Sequence, residues 1–342
     1  MPANVGEMFY YGDVPWHGEG LKLSHPANIQ EAIKAGGLDW EVGMVPLKTA
    51  EDPPSRVDNR VAIVRRDRPK GDPGRVLGVT YRGFKPLQNR EGIRIFDTIF
   101  GKGKKVYHTG GYLGRGEVIW LLAELPKNIL VGKEDNVKPY ALFTNSHNGS
   151  IAIDVRLTTV RVVCQNTLSL ALMDKDRKTF FKHAHQGDYQ QLQTELEAFF
   201  CDTLNAVDNI EVQFKTMMER RFDDDLTREY IEKLFPVPRE PASAGTDKRV
   251  RNQYLARVEK VRTAREKIAH LRLYGKGVDL PGVKESLWGT FNAVLEYVDH
   301  YEKDERTVIS WSLFGNGAVL KRKAFGLAIG NLQHDNPDGA PQ

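Results

Sequence analysis

The hydrophobic period of this chain is helical throughout after residue 188, and this feature limits the possible folds more than any other. Between residues 106 and 164, apolar and polar residues alternate, as they do in half-buried β-strands. After residue 188, apolar residues recur every three or four positions, as they do in amphipathic helices. The sequence therefore predicts an α+β fold: a central antiparallel sheet with a prominent hairpin packed on helices, followed by a largely helical C-terminal half.

The clearest local signal is a hairpin at residues 106–125, whose turn contains Gly114 and Gly116. A helix at residues 89–100 precedes this hairpin. Two strands follow it, at residues 138–146 and 150–164, and residues 165–173 are predicted to be helical.

Changes in composition divide the chain into five parts. An α+β domain covers residues 1–187, and an acidic helical segment covers 188–235. A linker at 236–246 contains three prolines. A basic helical region follows at 247–332, and a flexible tail at 333–342.

Charge is distributed unevenly along the helical half, although the net charge of the whole chain is only +4. Residues 188–229 hold 11 acidic and 4 basic side chains, and residues 247–276 hold 10 basic and 3 acidic ones. These segments, at −7 and +7, could pair with each other or across subunits, or the basic one could face a nucleic acid. The pattern favours a homo-oligomer assembled head to tail, and a ring is one form of it.

Several chemistries find no support in the motifs. The sequence contains no P-loop, no G-x-S-x-G elbow and no H-E-x-x-H pair, so no catalytic residue, metal or cofactor is predicted. A metal near His147, His183 or His185 is left open. Cys164 alternates into an apolar strand and is expected to be an inert core thiol. The chain has no stretch of 18 apolar residues and no secretory signal at its start, so we expect a cytoplasmic protein with no membrane partner.

Cations and aromatic residues cluster around the hairpin. Cations spaced along a sheet edge can neutralise phosphates, and interleaved aromatic rings can stack on bases. A second candidate for anion binding is a glycine-rich turn leading into a basic helix. The residues predicted to bind nucleic acid are Lys102, Lys104, Lys105, Tyr112, Arg115, Arg156 and Arg161 at the first site, with Lys321 and Arg322 at the second.

Short motifs are spread over residues 8–332. They are PWHG at residues 15–18, QN at 88–89, the hairpin segment 110–120, SHNGS at 146–150, RVVCQNTL at 161–168, LWGTFNA at 287–293 and YVDH at 297–300. These motifs resemble those of the phage/plasmid-like proteins, a family of unknown function found in bacteriophages, prophages and plasmids. The block at residues 161–168 is the most specific of them. Glu19 and Asn148 depart from the residues that the family more often has.

This resemblance supplies no activity. The element order of residues 89–173 is similar to the core of the single-strand-annealing recombinases, in which a curved sheet with a protruding hairpin lines a basic groove around a ring. The likeness implies a protein that binds and anneals single-stranded DNA without catalytic chemistry. Two alternatives stay open: a host-interaction or counter-defence protein that binds other proteins, and an enzyme with a site around His17, His147 and Asp154.

Overall fold

The computed structural model of the protein describes seven stretches of the chain. They are residues 5–12, 20–161, 166–169, 180–186, 189–245, 247–301 and 316–334. His17, Cys164 and residues 335–342 of the predicted tail lie outside these stretches, as does the side chain of Arg161.

Twelve β-strands are found among the described residues, most of them in the first half of the chain. They are β1 (Val5–Tyr11), β2 (Leu21–Leu23), β3 (Val42–Lys48), β4 (Arg56–Arg65), β5 (Val76–Tyr81), β6 (Tyr107–Leu113), β7 (Val118–Glu124), β8 (Ile129–Val131), β9 (Asp135–Ser146), β10 (Ile153–Arg161), β11 (Asn166–Ser169) and β12 (Phe180–His183).

The same residues form seven α-helices, and the five longest follow one another after the last strand. They are α1 (Ile29–Ala35), α2 (Asn89–Phe96), α3 (Gln190–Glu219), α4 (Asp224–Leu234), α5 (Lys248–Tyr274), α6 (Leu287–His300) and α7 (Asn316–His334). A π-helical turn, Asp97–Gly101, continues α2. The predicted fold class, an antiparallel sheet with a hairpin followed by a helical half, is confirmed.

Nine strands make one large sheet, in which β9 is central. The order is β11-β10-β9-β7-β6-β1-β2, with β12 on β10 and β8 on β9. The pairings are antiparallel except for the parallel pair of β1 and β2. A second sheet contains β3, β4 and β5. The predicted hairpin is β6–β7, with Gly111 opposite Trp120.

The prediction of a helix at residues 165–173 is wrong for the part of this segment that is described. Asn166–Ser169 is strand β11, which pairs with β10 from Thr158↔Ser169 to Arg161↔Asn166. Pairing with β11 satisfies the backbone N–H and C=O groups on this edge of β10. These hydrogen bonds outweigh the helical preference that the spacing of the apolar residues indicates. Among the described residues, the next helix after the hairpin and its two partner strands is α3, which begins at Gln190.

One face of the large sheet is covered by helices from both ends of the sequence. Phe143 of β9 stacks on Phe96 of α2, with ring centroids 5.4 Å apart. The same core cluster contains Phe214 of α3 and Phe291 of α6. The N-terminal sheet and the C-terminal helices thus share one continuous hydrophobic core.

A buried hydrogen bond ties the helical half to the sheet. Trp288 of α6 donates its indole N–H to Oδ2 of Asp135, the first residue of β9, over 2.8 Å. Trp288 is 2% exposed and Asp135 is 1% exposed. A bond to a buried carboxylate is among the stronger hydrogen bonds in a protein.

We expect Trp288→Phe to lower the free energy of unfolding by about 1–3 kcal/mol, because it keeps an aromatic ring but removes this donor to a buried carboxylate. Urea unfolding followed by circular dichroism measures the loss. A loss below about 0.5 kcal/mol would show that the bond contributes little to the association of helix and sheet.

Candidate nucleic-acid interface

The structure separates the lysines before the hairpin from the arginine in its turn. Lys102, Lys104 and Lys105 precede strand β6, and Arg115 follows it. A seven-residue strand is about 20 Å long, so the two groups lie at opposite ends of the hairpin. They do not form a single patch.

The three lysines lie on an exposed loop beside α1 and α3. Lys102 has a left-handed backbone, with φ of 48°, and its Nζ lies 5.7 Å from the ring centroid of Phe200. Lys105 Nζ lies 3.5 Å from the carboxylate of Glu31. Lys104 is exposed and has no ion-pair partner among the described residues. This loop is a small cationic surface with one carboxylate at its edge.

Arg115 is engaged by its own turn. Its backbone N–H donates to Glu117 Oε2 at 2.5 Å, and its Nε donates to Glu117 Oε1 at 2.9 Å. Its Nη1 donates to the carbonyl of Pro73 at 3.0 Å. A phosphate would have to compete with Glu117 for this guanidinium.

Tyr112 lies in the core rather than on the hairpin surface. It is 4% exposed, and its hydroxyl donates to Glu7 Oε1 at 3.0 Å. Trp40 meets its ring edge to face, and the Arg65 guanidinium lies 5.2 Å from its centroid. Burial raises the pKa of this hydroxyl. The ring therefore has no open face on which a base could stack.

Arg156 is also buried. It is 8% exposed and forms a two-point ion pair with Asp154, from Nε to Oδ1 and from Nη2 to Oδ2 at 3.1 Å. Residues i and i+2 of a strand share a face, which brings these two side chains together on β10. Burial raises the pKa of Asp154, and Arg156 acts in the opposite direction. Arg161 ends the same strand.

The second predicted anion site is not an open surface either. Lys321 of α7 is 1% exposed and pairs with Asp299 of α6. Burial lowers the pKa of Lys321, and Asp299 opposes this effect. Arg322 beside it is half-buried. Lys321 joins two helices instead of presenting a charge to solvent.

Of the alternative catalytic residues, the two that the structure describes, His147 and Asp154, lie on opposite sides of the sheet. His147 is completely buried on the helix side of the sheet, where its Nε2 donates to Asn89 Oδ1 at 2.8 Å. Asn89 in turn donates to the carbonyls of Leu38 and Trp40, which assigns Oδ1 as the acceptor. Asp154 faces the opposite side with Arg156. No group of three or more metal-binding side chains occurs in the described part of the chain.

The most exposed cationic surface is the first half of α5. The sequence identified this helix as basic but did not show how exposed its first half is. Every residue from 248 to 263 is exposed or half-buried, and the first buried residue of the helix is Ala264. At 1.5 Å per residue, this half is about 24 Å long. It carries six cations and one carboxylate, Glu259. The cations are Lys248, Arg249, Arg251, Arg257, Lys260 and Arg262.

These cations are weakly neutralised by the rest of the molecule. Arg262 pairs with Glu259 one turn away. Lys248, Arg249, Arg251 and Arg257 have no carboxylate partner in the described stretches. The pairs between α5 and α4, Arg265–Glu232 and Arg272–Asp224, all lie further along the helix. The acidic and basic segments therefore pair with each other only near the C-terminal half of α5.

Comparison with known proteins yields one match. The family model described as a domain of unknown function, DUF932, matches residues 76–322. No curated protein and no solved structure matches the chain. Within the described stretches, no helix is both long enough and apolar enough to cross a membrane.

Arg156→Met should destabilise the fold by about 3–5 kcal/mol, because it leaves the carboxylate of Asp154 buried without its counter-charge. Adding Asp154→Asn should recover much of this loss. Thermal and urea unfolding of the two variants provide the test. If Arg156→Met melted like the wild type, the pair would not be buried in solution and Arg156 would return as a surface cation.

Acidification should destabilise the protein through His147, whose pKa burial lowers to about 3. At pH values between that pKa and the unfolded value near 6.5, His147 is protonated in the unfolded chain and neutral in the folded chain. The free energy of unfolding therefore falls as the pH falls. From pH 7 to pH 5 the expected contribution is about 2 kcal/mol. Unfolding of wild type and His147→Gln at both pH values isolates it, since the variant should show a smaller pH dependence. Equal pH dependence would contradict a buried neutral His147.

Proposed function

The chain belongs to the DUF932 family of domains of unknown function, and we propose that it binds single-stranded nucleic acid through the projecting first half of α5 and promotes annealing of complementary strands. The observation that carries the proposal is a helix segment about 24 Å long with six cations, one carboxylate and no buried residue. Such a segment matches the repeated negative charge of a nucleic-acid backbone.

The placement of the cations argues against a role in helix stability. Lys248, Arg249 and Arg251 occupy the first turn of α5, where the positive end of the helix dipole disfavours cations. Lys248 and Arg251 are also three residues apart, and like charges at that spacing repel each other. The side chain of Asp247 caps the helix by accepting from the N–H groups of Arg249 and Val250. These cations cost stability, and an anionic partner supplies a reason for them.

A helix of this kind contacts phosphates and has few means of reading bases. Its cations lie on several sides of the helix, and its half-buried stripe consists of Val250, Tyr254, Val258 and Val261. Phosphate contacts position a strand without reading its sequence. We therefore propose binding with little sequence preference, as annealing of arbitrary complementary strands requires.

The resemblance to phage and plasmid proteins, and the similarity in element order to annealing recombinases, support a role in the recombination of mobile elements. The order α2, β6, β7, β9 and β10 agrees with this likeness, and the order departs from it after β10, where strand β11 stands in place of the expected helix. This likeness in fold is an analogy. The exposed positive charge of α5 supports nucleic-acid binding independently of the fold.

An acidic protein surface is the alternative partner for α5, and α3 offers one on a second copy of the chain. Glu197, Asp202 and Glu219 of α3 are exposed and have no cationic partner among the described residues. Pairing α5 of one copy with α3 of the next would build a head-to-tail oligomer. This assembly would weaken with salt as nucleic-acid binding does, so the partner itself must be varied in the test.

The test compares three fourfold variants that remove the same charge from different places. The α5 variant replaces Lys248, Arg249, Arg251 and Arg257 by Gln, and the hairpin variant replaces Lys102, Lys104, Lys105 and Arg115. The control variant replaces four exposed lysines elsewhere: Lys34, Lys48, Lys70 and Lys133. Glutamine is a good helix former, so α5 should persist in its variant.

Fluorescence anisotropy with labelled single strands across a salt series gives the slope of log affinity against log salt. The α5 variant should lower this slope by up to about 0.7 per lost contact, or nearly 3 units, for every oligonucleotide sequence. The hairpin variant should lower it less, because Lys105 and Arg115 already face carboxylates. The control variant should leave the slope close to that of the wild type.

Two results would overturn the proposal. The first is an absence of binding by the wild type at low salt. The second is an equal loss in the α5 and control variants, which would mean that only net charge matters. Light scattering of the same variants decides on the alternative, since self-association that is lost in the α5 variant points to α3 of a second copy.

A further inference from the structure

The most exposed large hydrophobic side chain in the described part of the chain belongs to Tyr274, the last residue of α5, which is 71% exposed. Leu273 beside it is 37% exposed, and Tyr301, which follows α6, is 45% exposed. Side chains of this kind usually cover one another when a protein folds, and an exposed group of them is typical of a binding surface. None of the three lies in the projecting first half of α5.

The turn of helix that carries Tyr274 is held in place by the rest of the fold. Leu271 and Arg272 on this turn are 3% and 6% exposed. The backbone N–H of Lys276, just past the end of the helix, donates to Oε2 of Glu296 at 3.1 Å, and Glu296 is buried in α6. The exposure of Tyr274 therefore follows from the position of an anchored backbone and not from fraying of the helix end.

Two ring contacts fix the side chains of this surface. His270, one turn before Tyr274, is exposed, and the centroids of the two rings lie 4.9 Å apart. The Nζ of Lys267 lies 4.0 Å from the ring centroid of Tyr301, which is a cation–π contact. Although Tyr274 contacts His270, most of its surface stays in solvent and is accessible to a partner.

Tyr274 lies at the end of a row of cations that follows one side of α5. The four residues of the row are 11, 7 and 7 positions apart, close to whole numbers of helical turns, so their side chains leave the helix in nearly the same direction. The row is about 38 Å long, and the residues between its members on this side of the helix include no carboxylate. The members are Arg249, Lys260, Lys267 and Tyr274, and the residues between them are Gln253, Ala256, Thr263 and His270.

We propose that a single strand lies along this row and that Tyr274 stacks on one of its unpaired bases. This inference rests on the nucleic-acid binding proposed above and adds to it the contact that recognises a single strand. The cations of the row match the charge of the phosphates. An aromatic side chain stacks on the flat face of any base, so Tyr274 adds affinity without adding sequence preference.

The same contact separates single strands from duplexes. In a duplex the bases stack on one another inside the helix, so a base can reach Tyr274 only when it is unpaired. Pairing with a complementary strand therefore removes the contact with Tyr274. Stacking thus favours the separate strands over the annealed product.

Fluorescence anisotropy of the whole chain with three labelled probes tests this contact. The probes are oligodeoxythymidylate, an abasic strand with the same number of phosphates, and a duplex of oligodeoxythymidylate with oligodeoxyadenylate. The wild type should bind the thymidylate strand more tightly than the abasic strand, because the two carry the same charge and only the first has bases to stack.

Tyr274→Ala is the main variant, since an exposed side chain can be changed with little effect on folding. It should weaken binding of the thymidylate strand about tenfold, which corresponds to about 1.4 kcal/mol. Binding of the abasic strand and the salt slope should stay unchanged, and the loss for the duplex should be smaller, because its bases are paired. Tyr274→Trp keeps an aromatic ring and should bind the thymidylate strand at least as tightly as the wild type.

Tyr81→Ala is the matched control. Tyr81 is also an exposed tyrosine beside a cation, since it lies directly across from the exposed Arg60 on the neighbouring strand. It belongs to the second sheet and not to the helical half. Its replacement should leave the affinity for all three probes close to that of the wild type.

Three outcomes would overturn the stacking contact while leaving nucleic-acid binding by α5 in place. They are equal affinities of the wild type for the thymidylate and abasic strands, equal losses in Tyr274→Ala and Tyr81→Ala, and a loss in Tyr274→Ala that is as large for the abasic strand as for the thymidylate strand. A loss of self-association in Tyr274→Ala with unchanged strand binding would also overturn it and would assign the surface to a second copy of the chain. Failure of the proposed function gives a different result, because neither strand would then bind the wild type at low salt.

Discussion

The structure depends on the covering of one face of a wide antiparallel sheet. Phe143 lies at the centre of that face, on β9, where Phe96 of α2 stacks on it. Gly92 of the same helix lies against Phe143, where a Cβ would be 3.0 Å from the ring. Helix α2 alone does not bury this face, and α3 and α6 complete the cover from the other end of the sequence. The bond between Trp288 and Asp135 then fixes α6 at the start of the central strand.

Burial of polar groups follows from the same architecture. A sheet covered on one side and joined to a second, smaller sheet leaves narrow spaces that contain backbone carbonyls as well as apolar side chains. Asn89 and His147 fill one such space and satisfy the carbonyls of Leu38 and Trp40. Arg65 fills another, where it pairs with Asp67 and lies over Trp40. Such side chains attach the two sheets to each other. One of them, His147, was a candidate catalytic residue from the sequence.

The hydrophobic period and the turn-forming residues were sufficient to predict the hairpin, the strands beside it and the long helices, because these elements bury a regular apolar stripe. Strand β11 could not be predicted in this way, since its place depends on the free edge of β10 and not on its own pattern. Charged residues were harder still. Asp154 and Arg156 carry a local signal, an acid and a base two residues apart on a strand, whereas Lys321 and Asp299 are brought together by the packing of α7 on α6. The positions of the cations along the chain do not show which of these side chains are buried in the fold and which are exposed to solvent.

The projecting half of α5 shows how function and stability are coupled in this fold. Isolated helices of about 16 residues are marginal in water, and this one carries like charges three residues apart at Lys248 and Arg251 and again at Arg257 and Lys260. Its order depends on the anchored half after Ala264, on the cap at Asp247 and on Glu259, which pairs with Arg262. An anionic partner would relieve the repulsion and stabilise the segment as it binds, since any ligand that prefers the folded state shifts the equilibrium toward it. The exposed cations that weaken the free helix are therefore the same ones that would strengthen its complex.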